Sequence, residues 1–152
     1  LMHPEERLAE LGLSVPEVAK PVAAYIPAVR SGNHVFTSGQ IPVREGTPIA
    51  TGKVGGSVTP EVAVECAQQC TLNAIAAVKA EIGDLALVKR IVKVVVFVAS
   101  TPDFTGQPQV ANGASELLGT VFGDAGIHAR SAVGVAVLPL DVPVEIEIMV
   151  EV

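Results

Sequence analysis

Residues 128–152 constrain the fold of this chain more than any other stretch: they read HARSAVGVAVLPLDVPVEIEIMVEV and alternate almost throughout. A period of two belongs to a β-strand with one covered face and does not fit a helix. In the second run, Val144, Ile146, Ile148, Val150 and Val152 share one face, and Glu145, Glu147 and Glu151 share the other. In the first run, Val133, Val135 and Val137 form an apolar face opposite Arg130, Ala132, Gly134 and Ala136. The turn-like LPLDVP between them predicts a β-hairpin with a long connection. An arginine among such small residues leaves open space around a fixed cationic fork, and the glutamates are expected to face that same space. Two readings stay open from the pattern alone: a site for a small carboxylate ligand, or a solvated Arg–Glu pair on the sheet surface.

The rest of the chain supplies elements to pack against these strands. Thr59-Pro60-Glu61 carries the signals of a helix start, with Thr at the N-cap, Pro at N1 and an acid in the first turn; the helix should stop at Gly83. Ala63, Ala67, Cys70, Ala74 and Ala77 form a stripe of small side chains that lets this helix approach a sheet closely. KRIVKVVVFVAS is apolar enough for an interior strand. Pro102 and Asp103 predict a second helix, broken at Gly106 and Pro108 and continuing over about 110–122. PEERLAELG reads as a short first helix docking through Leu8 and Leu11, followed by a connector with Pro16 and Pro21. AAYIPAV and HVFTSGQIP, joined at SGN, predict a first hairpin, and a short strand is expected within 49–54. The order β-β-(β)-α-β-α-β-β therefore predicts one α+β domain over 1–152: a mixed sheet of about six strands, two helices on one face, and a helical extension over about 1–20.

Composition excludes several classes. The net charge is −6, the ten Lys and Arg are scattered, and there is no Trp, one Tyr and only four Phe. Nucleic-acid binding is therefore not expected, because it needs clustered cations and stacking aromatics. At 49% hydrophobic the chain is more apolar than one small domain can hide, yet no 18-residue apolar run suits a membrane span. The surplus predicts a homo-oligomer. Cys66 and Cys70 lie four apart on one helix face, with poor disulfide geometry and no companion metal ligands, and read as core thiols. With no signal-like segment among the first twelve residues, the expectation is a cytoplasmic protein without metal or cofactor.

Three stretches, VFTSGQIP (35–42), KRIVKVVVFVASTPDF (89–104) and HARSAVGVAVLPLDVPVEIE (128–147), resemble the Rid/YjgF superfamily of reactive-intermediate deaminases, also labelled L-PSP endoribonucleases. The likeness runs from about residue 25 to the end, and the GKVGG, VANGASELL and FGDAGIHARSAVG wording resembles a less-characterised branch. The resemblance implies a chorismate-mutase-like fold assembled as a homotrimer with clefts between subunits. It also implies that Arg130 clamps a substrate carboxylate, that Glu145 orients water at an imine carbon, and that Tyr25, Ser38, Gly39 and Asn112 complete the cleft, partly from the neighbouring subunit. The chemistry suits those positions. A guanidinium holds a carboxylate bidentately, a partly desolvated carboxylate can relay a proton, and a glycine lets backbone donors approach a ligand.

Bland readings stand beside these: Tyr25 as an edge aromatic, Ser38-Gly39 as a bend, Asn112 as a helix cap, His128 as a structural histidine, and Glu147 in place of Glu145. The chain departs from the deaminase pattern at Ala132, where a cysteine is common, at Gly134 in place of a glutamate, and at Val137 in place of an arginine. These changes predict a wider, less charged cleft, and the lost cysteine is not a nucleophile in that chemistry. Two functions are therefore expected: hydrolytic deamination of small carboxylate-bearing imines or enamines, or a trimer that binds a small carboxylate without turnover. Ribonuclease action fits poorly with the acidic balance and the lack of a paired His–His arrangement.

Overall fold

The computed structural model describes residues 2–20 and 24–152. Its elements are α1 (Pro4–Glu10), β1 (Ala28–Ser31), β2 (His34–Thr37), β3 (Val43–Arg44), β4 (Thr47–Pro48), α2 (Pro60–Ile82), β5 (Arg90–Ala99), α3 (Gln107–Phe122), β6 (Ala129–Val135) and β7 (Val144–Glu151). Among the described residues they form a five-stranded mixed sheet in the order β1-β2-β7-β5-β6, and β3 and β4 pair separately. The architecture is α+β, with α2 and α3 side by side on one sheet face.

The β7 alternation does what its sequence predicts. Val144, Ile146, Ile148 and Val150 are buried toward the helices and the intervening residues are partly exposed. α2 is as predicted too. Thr59 Oγ1 accepts from the Val62 N–H at 3.2 Å, and the Gly83 N–H, at φ 85°, donates to the Lys79 carbonyl and closes the last turn. Its small-residue stripe is fully buried, so α2 seats directly on β7 and β2.

Several expectations change. The last quarter is not a hairpin: β6 pairs in parallel with β5, and β7 crosses back to lie antiparallel between β5 and β2. The β5-α3-β6 segment is thus a crossover unit, which parallel pairing requires. The sheet has five strands, not six, because the segment expected to add a strand within 49–54 contributes only bridges at Val54. The nearby pairing is the small β3–β4 hairpin, turned by Glu45 and Gly46 at φ 52° and 83°. α3 starts at Gln107 with Gly106 as its N-cap, so Pro102 and Asp103 precede the helix. Pro108 is accommodated in the first turn, where a missing N–H is harmless. In α1, Leu8 is buried against Leu72, Leu117 and Val121, whereas Leu11 stays exposed and Leu13 packs in its place. The edge strand expected over AAYIPAV begins only at Ala28; Ala23 and Pro21 lie outside the described residues.

Val133, expected on a covered apolar face, lies instead on the sheet face away from the helices and is 45% exposed. Phe36 and Val29 share that face as exposed side chains, with Val95, Phe97 and Met149 partly buried between them. Cys66 and Cys70 are free and buried, as expected. Burial pushes the Cys66 thiol up to about 11, and the Cys70 thiol is also raised. Neither is a thiolate at neutral pH. No helix among the described residues is long and apolar enough to cross a membrane.

Candidate active site in two halves

The first half is built where β6 runs beneath α3. Arg130 is opposite Val94 on β5, which puts its side chain on the helix-covered face. There its Nη1 donates to Asn112 Oδ1 at 2.8 Å and to Ser115 Oγ at 3.1 Å. Asn112 and Ser115 are three apart on α3 and so present their polar atoms side by side. Asn112 is inside the helix and caps nothing; its Oδ1 contacts Arg130. Among the described residues, no carboxylate lies within ion-pair distance of Arg130.

Behind Ser115 stands His128, whose Nε2 is 2.9 Å from Ser115 Oγ and whose Nδ1 is 2.6 Å from the Gly126 carbonyl oxygen. Sequence reasoning left Ser115 out and set His128 beside the cleft as a structural histidine. Its signals were present, since His128 precedes Arg130 by the two-residue period of a strand and Ser115 follows Asn112 by the i, i+3 spacing of a helix. The Gly126 carbonyl is held because its Cα packs against the Leu118 backbone of α3, with no room for a side chain. Gly126→Ala is therefore expected to cost about 1–3 kcal/mol through overpacking. In thermal denaturation this reads as a Tm lower by several degrees.

Ala132 follows on the same face, partly buried against the core. The space that a larger side chain would take at Gly134 is occupied by Gln107 and Ser100, so the expected widening does not occur there. Closing in on a glycine lets Gln107 donate to the Phe104 carbonyl at 2.8 Å.

The second half is built at the end of β2 beside β7. Gln40 and Ile146 exchange backbone hydrogen bonds of 2.7 and 3.0 Å, which fixes Gly39 against β7. A side chain at Gly39 would collide with the Glu145 carboxylate, so the glycine is required for Glu145 to sit where it does. The Ser38 hydroxyl donates to the Ile26 carbonyl at 2.6 Å, and the Ser38 N–H donates to the Pro27 carbonyl at 2.8 Å. Ser38 thus ties the segment bearing Tyr25 to the end of β2. Tyr25 is 55% exposed and lines one groove with Gly39. Partial burial, and secondarily the like charge of Glu147 two residues along the same face, hold the Glu145 carboxyl above the usual carboxylate range.

The two halves do not face each other within one chain. Glu145 is opposite Phe97, and Phe97 is opposite Val133, so Glu145 projects from the sheet face that Arg130 avoids. The expected shared space between Arg130 and the glutamates is absent from a single copy. Strand parity alone forces this once β5 aligns β6 with β7. Among the described residues, no group of three His, Cys, Asp or Glu side chains is placed to hold a metal ion.

Residues 16–152 match the model of the family described as Endoribonuclease L-PSP, and the chain belongs to it, within the Rid/YjgF superfamily. It is similar to Protein TCP17 of Trypanosoma cruzi, at 44% identity over 95% of this chain and 91% of that one. It is also similar to the 2-iminobutanoate/2-iminopropanoate deaminase of Escherichia coli K12, at 38% identity over 83% of this chain and 85% of the other. The crystal structure of Atu1372 from Agrobacterium tumefaciens superposes with a TM-score of 0.93 at 45% identity, covering 98% of this chain and 92% of that one.

Proposed function

We propose that the protein hydrolyses small carboxylate-bearing imines, or the enamines that tautomerise to them, in clefts between the subunits of a chorismate-mutase-like homotrimer. The observation that carries this reading is the Arg130 guanidinium, buttressed on α3 and unmatched by any carboxylate among the described residues. A buttressed cation without a counter-ion suits an anionic ligand. Glu145 supplies the second requirement, a carboxyl kept above its usual range by burial and so better matched to proton relay near neutral pH.

In this scheme Arg130 grips the substrate carboxylate and Glu145 of a neighbouring copy takes a proton from water as its oxygen bonds to the imine carbon. That proton passes to the imine nitrogen to give a carbinolamine; Glu145 then moves the carbinolamine hydroxyl proton to the amino nitrogen as the C–N bond breaks, and ammonia and a 2-keto acid leave. Tyr25, Ser38 and Gly39 line the Glu145 side, and Asn112 and Ala132 the Arg130 side. Imine hydrolysis is facile, so orientation by these groups supplies much of the acceleration. The opposite-face arrangement makes a second copy necessary, and the exposed Phe36, Val29 and Val133 offer apolar surface for it to cover. Two buried free thiols suit a reducing, cytoplasmic setting.

A variant mixture tests the reading. Arg130→Ala and Glu145→Gln are each expected to release almost no ammonia from 2-iminobutanoate generated in situ. Co-assembled in equal amounts, they should regain about a quarter of wild-type activity, because in a cyclic trimer one neighbouring pair in four combines an intact Arg130 with an intact Glu145. No recovery in trimers verified by ultracentrifugation would defeat the shared cleft. Alanine and glycine at 132 and 134 favour a second reading, a trimer that binds a small keto acid without turnover. Calorimetric binding of 2-oxobutanoate by a protein that releases no ammonia would select it.

A further inference from the structure

We infer that Ser115 and His128 are positioning residues that fix the Arg130 guanidinium and leave its Nε–Nη2 edge to the substrate carboxylate. This rests on the carboxylate-binding reading of Arg130, but its physical basis is a directed chain of hydrogen bonds. The Gly126 carbonyl oxygen can only accept, and it lies 2.6 Å from His128 Nδ1, so that nitrogen carries the ring proton. In its neutral form the ring then offers a lone pair at Nε2, to which the Ser115 hydroxyl 2.9 Å away donates. Committing that proton turns the lone pairs of Ser115 Oγ outward, and one of them accepts Arg130 Nη1 at 3.1 Å.

Asn112 Oδ1 takes the other Nη1 hydrogen at 2.8 Å. Two acceptors on one nitrogen fix both the position and the plane of the guanidinium. Every hydrogen bond of the Arg130 guanidinium among the described residues uses Nη1, so the Nε and Nη2 hydrogens form a parallel pair for a carboxylate. Without His128 the Ser115 hydroxyl is free to rotate and aim its hydrogen at the cation, which replaces an attraction with a repulsion. The chain starts at the Gly126 carbonyl, which the close packing against Leu118 holds in place.

The test combines a spectroscopic readout with binding and turnover. Long-range proton–nitrogen spectra of the wild-type protein should show His128 as the Nδ1–H tautomer, with an Nε2 resonance that moves in Ser115→Ala. The Kd for 2-oxobutanoate should rise about five- to tenfold in Ser115→Ala and in His128→Ala. The loss in turnover should sit in KM, with kcat within about twofold. Ser115→Thr keeps the hydroxyl and should restore both values, which separates lost positioning from lost folding. An Nε2–H tautomer of His128 overturns the inference. So does an unchanged Kd in Ser115→Ala when Arg130→Ala has abolished binding. Failure of the wild type to bind 2-oxobutanoate would instead defeat the carboxylate reading of Arg130, and the His128 tautomer would then decide the relay alone.

Discussion

Arg130→Ala should lower kcat/KM for 2-iminobutanoate hydrolysis by roughly 100-fold or more, the usual consequence of truncating one partner of a hydrogen-bonded charge pair. Most of this loss is affinity for the substrate carboxylate, so a stable keto acid should lose binding in parallel. Arg130→Lys should recover only a small part, because an ammonium is a single point donor that cannot occupy both acceptors on α3 and also present a parallel pair of hydrogens outward. The fold should tolerate both changes. Arg130 is only partly buried, and Asn112 and Ser115 can turn to solvent, so the stability cost should stay within about 1 kcal/mol. Steady-state kinetics beside thermal melts check both halves of the expectation. An alanine variant with wild-type kcat/KM would remove Arg130 from the reaction.

Glu145→Gln should reduce kcat by roughly 100-fold or more, the scale of a lost general base, and its pH behaviour tells more than its rate. The proposed reaction needs Glu145 ionised, and its carboxyl is raised first by burial and then by Glu147. Activity should therefore rise with pH through a limb lying above the ordinary carboxylate range. Glu147→Gln removes the like charge and leaves the burial, so that limb should move partway down while the activity at neutral pH persists. If Glu147→Gln abolished activity and Glu145→Gln did not, the two roles would be reversed.

Stability carries the opposite sign from activity. An acid whose folded pKa is raised binds its proton more tightly when folded, so its protonation favours the native state. That contribution is full below the unfolded carboxylate pKa and fades as pH rises through the folded one. The ionised form of Glu145 is thus a net liability, and Glu145→Gln should raise Tm at neutral pH, a gain that fades in acid. A function–stability trade at one carboxylate is typical of working sites.

Much of this molecule is legible in its sequence because the relevant signals are local. The period of two in β7 assigns Ile146 to the core and Glu145 to the other face from backbone geometry alone. Thr59 and Gly83 mark the ends of α2 because each satisfies backbone groups one turn away. The motifs around Ser38, Arg130 and Glu145 carry the family resemblance. Alternation, however, states which residues share a face and never which strand lies alongside. Two alternating runs near one connection read as a hairpin, and only packing shows β5 between β6 and β7. That order puts Arg130 and Glu145 on opposite faces, a relation with no signature in either run. The support of Arg130 by Asn112 and Ser115 on α3, and by His128 behind them, is equally non-local. Its members come from a helix and a strand whose separation in sequence says nothing of their contact. Local patterning is enough to assign the faces and the chemistry on them, but which faces meet is set by packing, because strand pairing follows from long-range burial of the whole sheet.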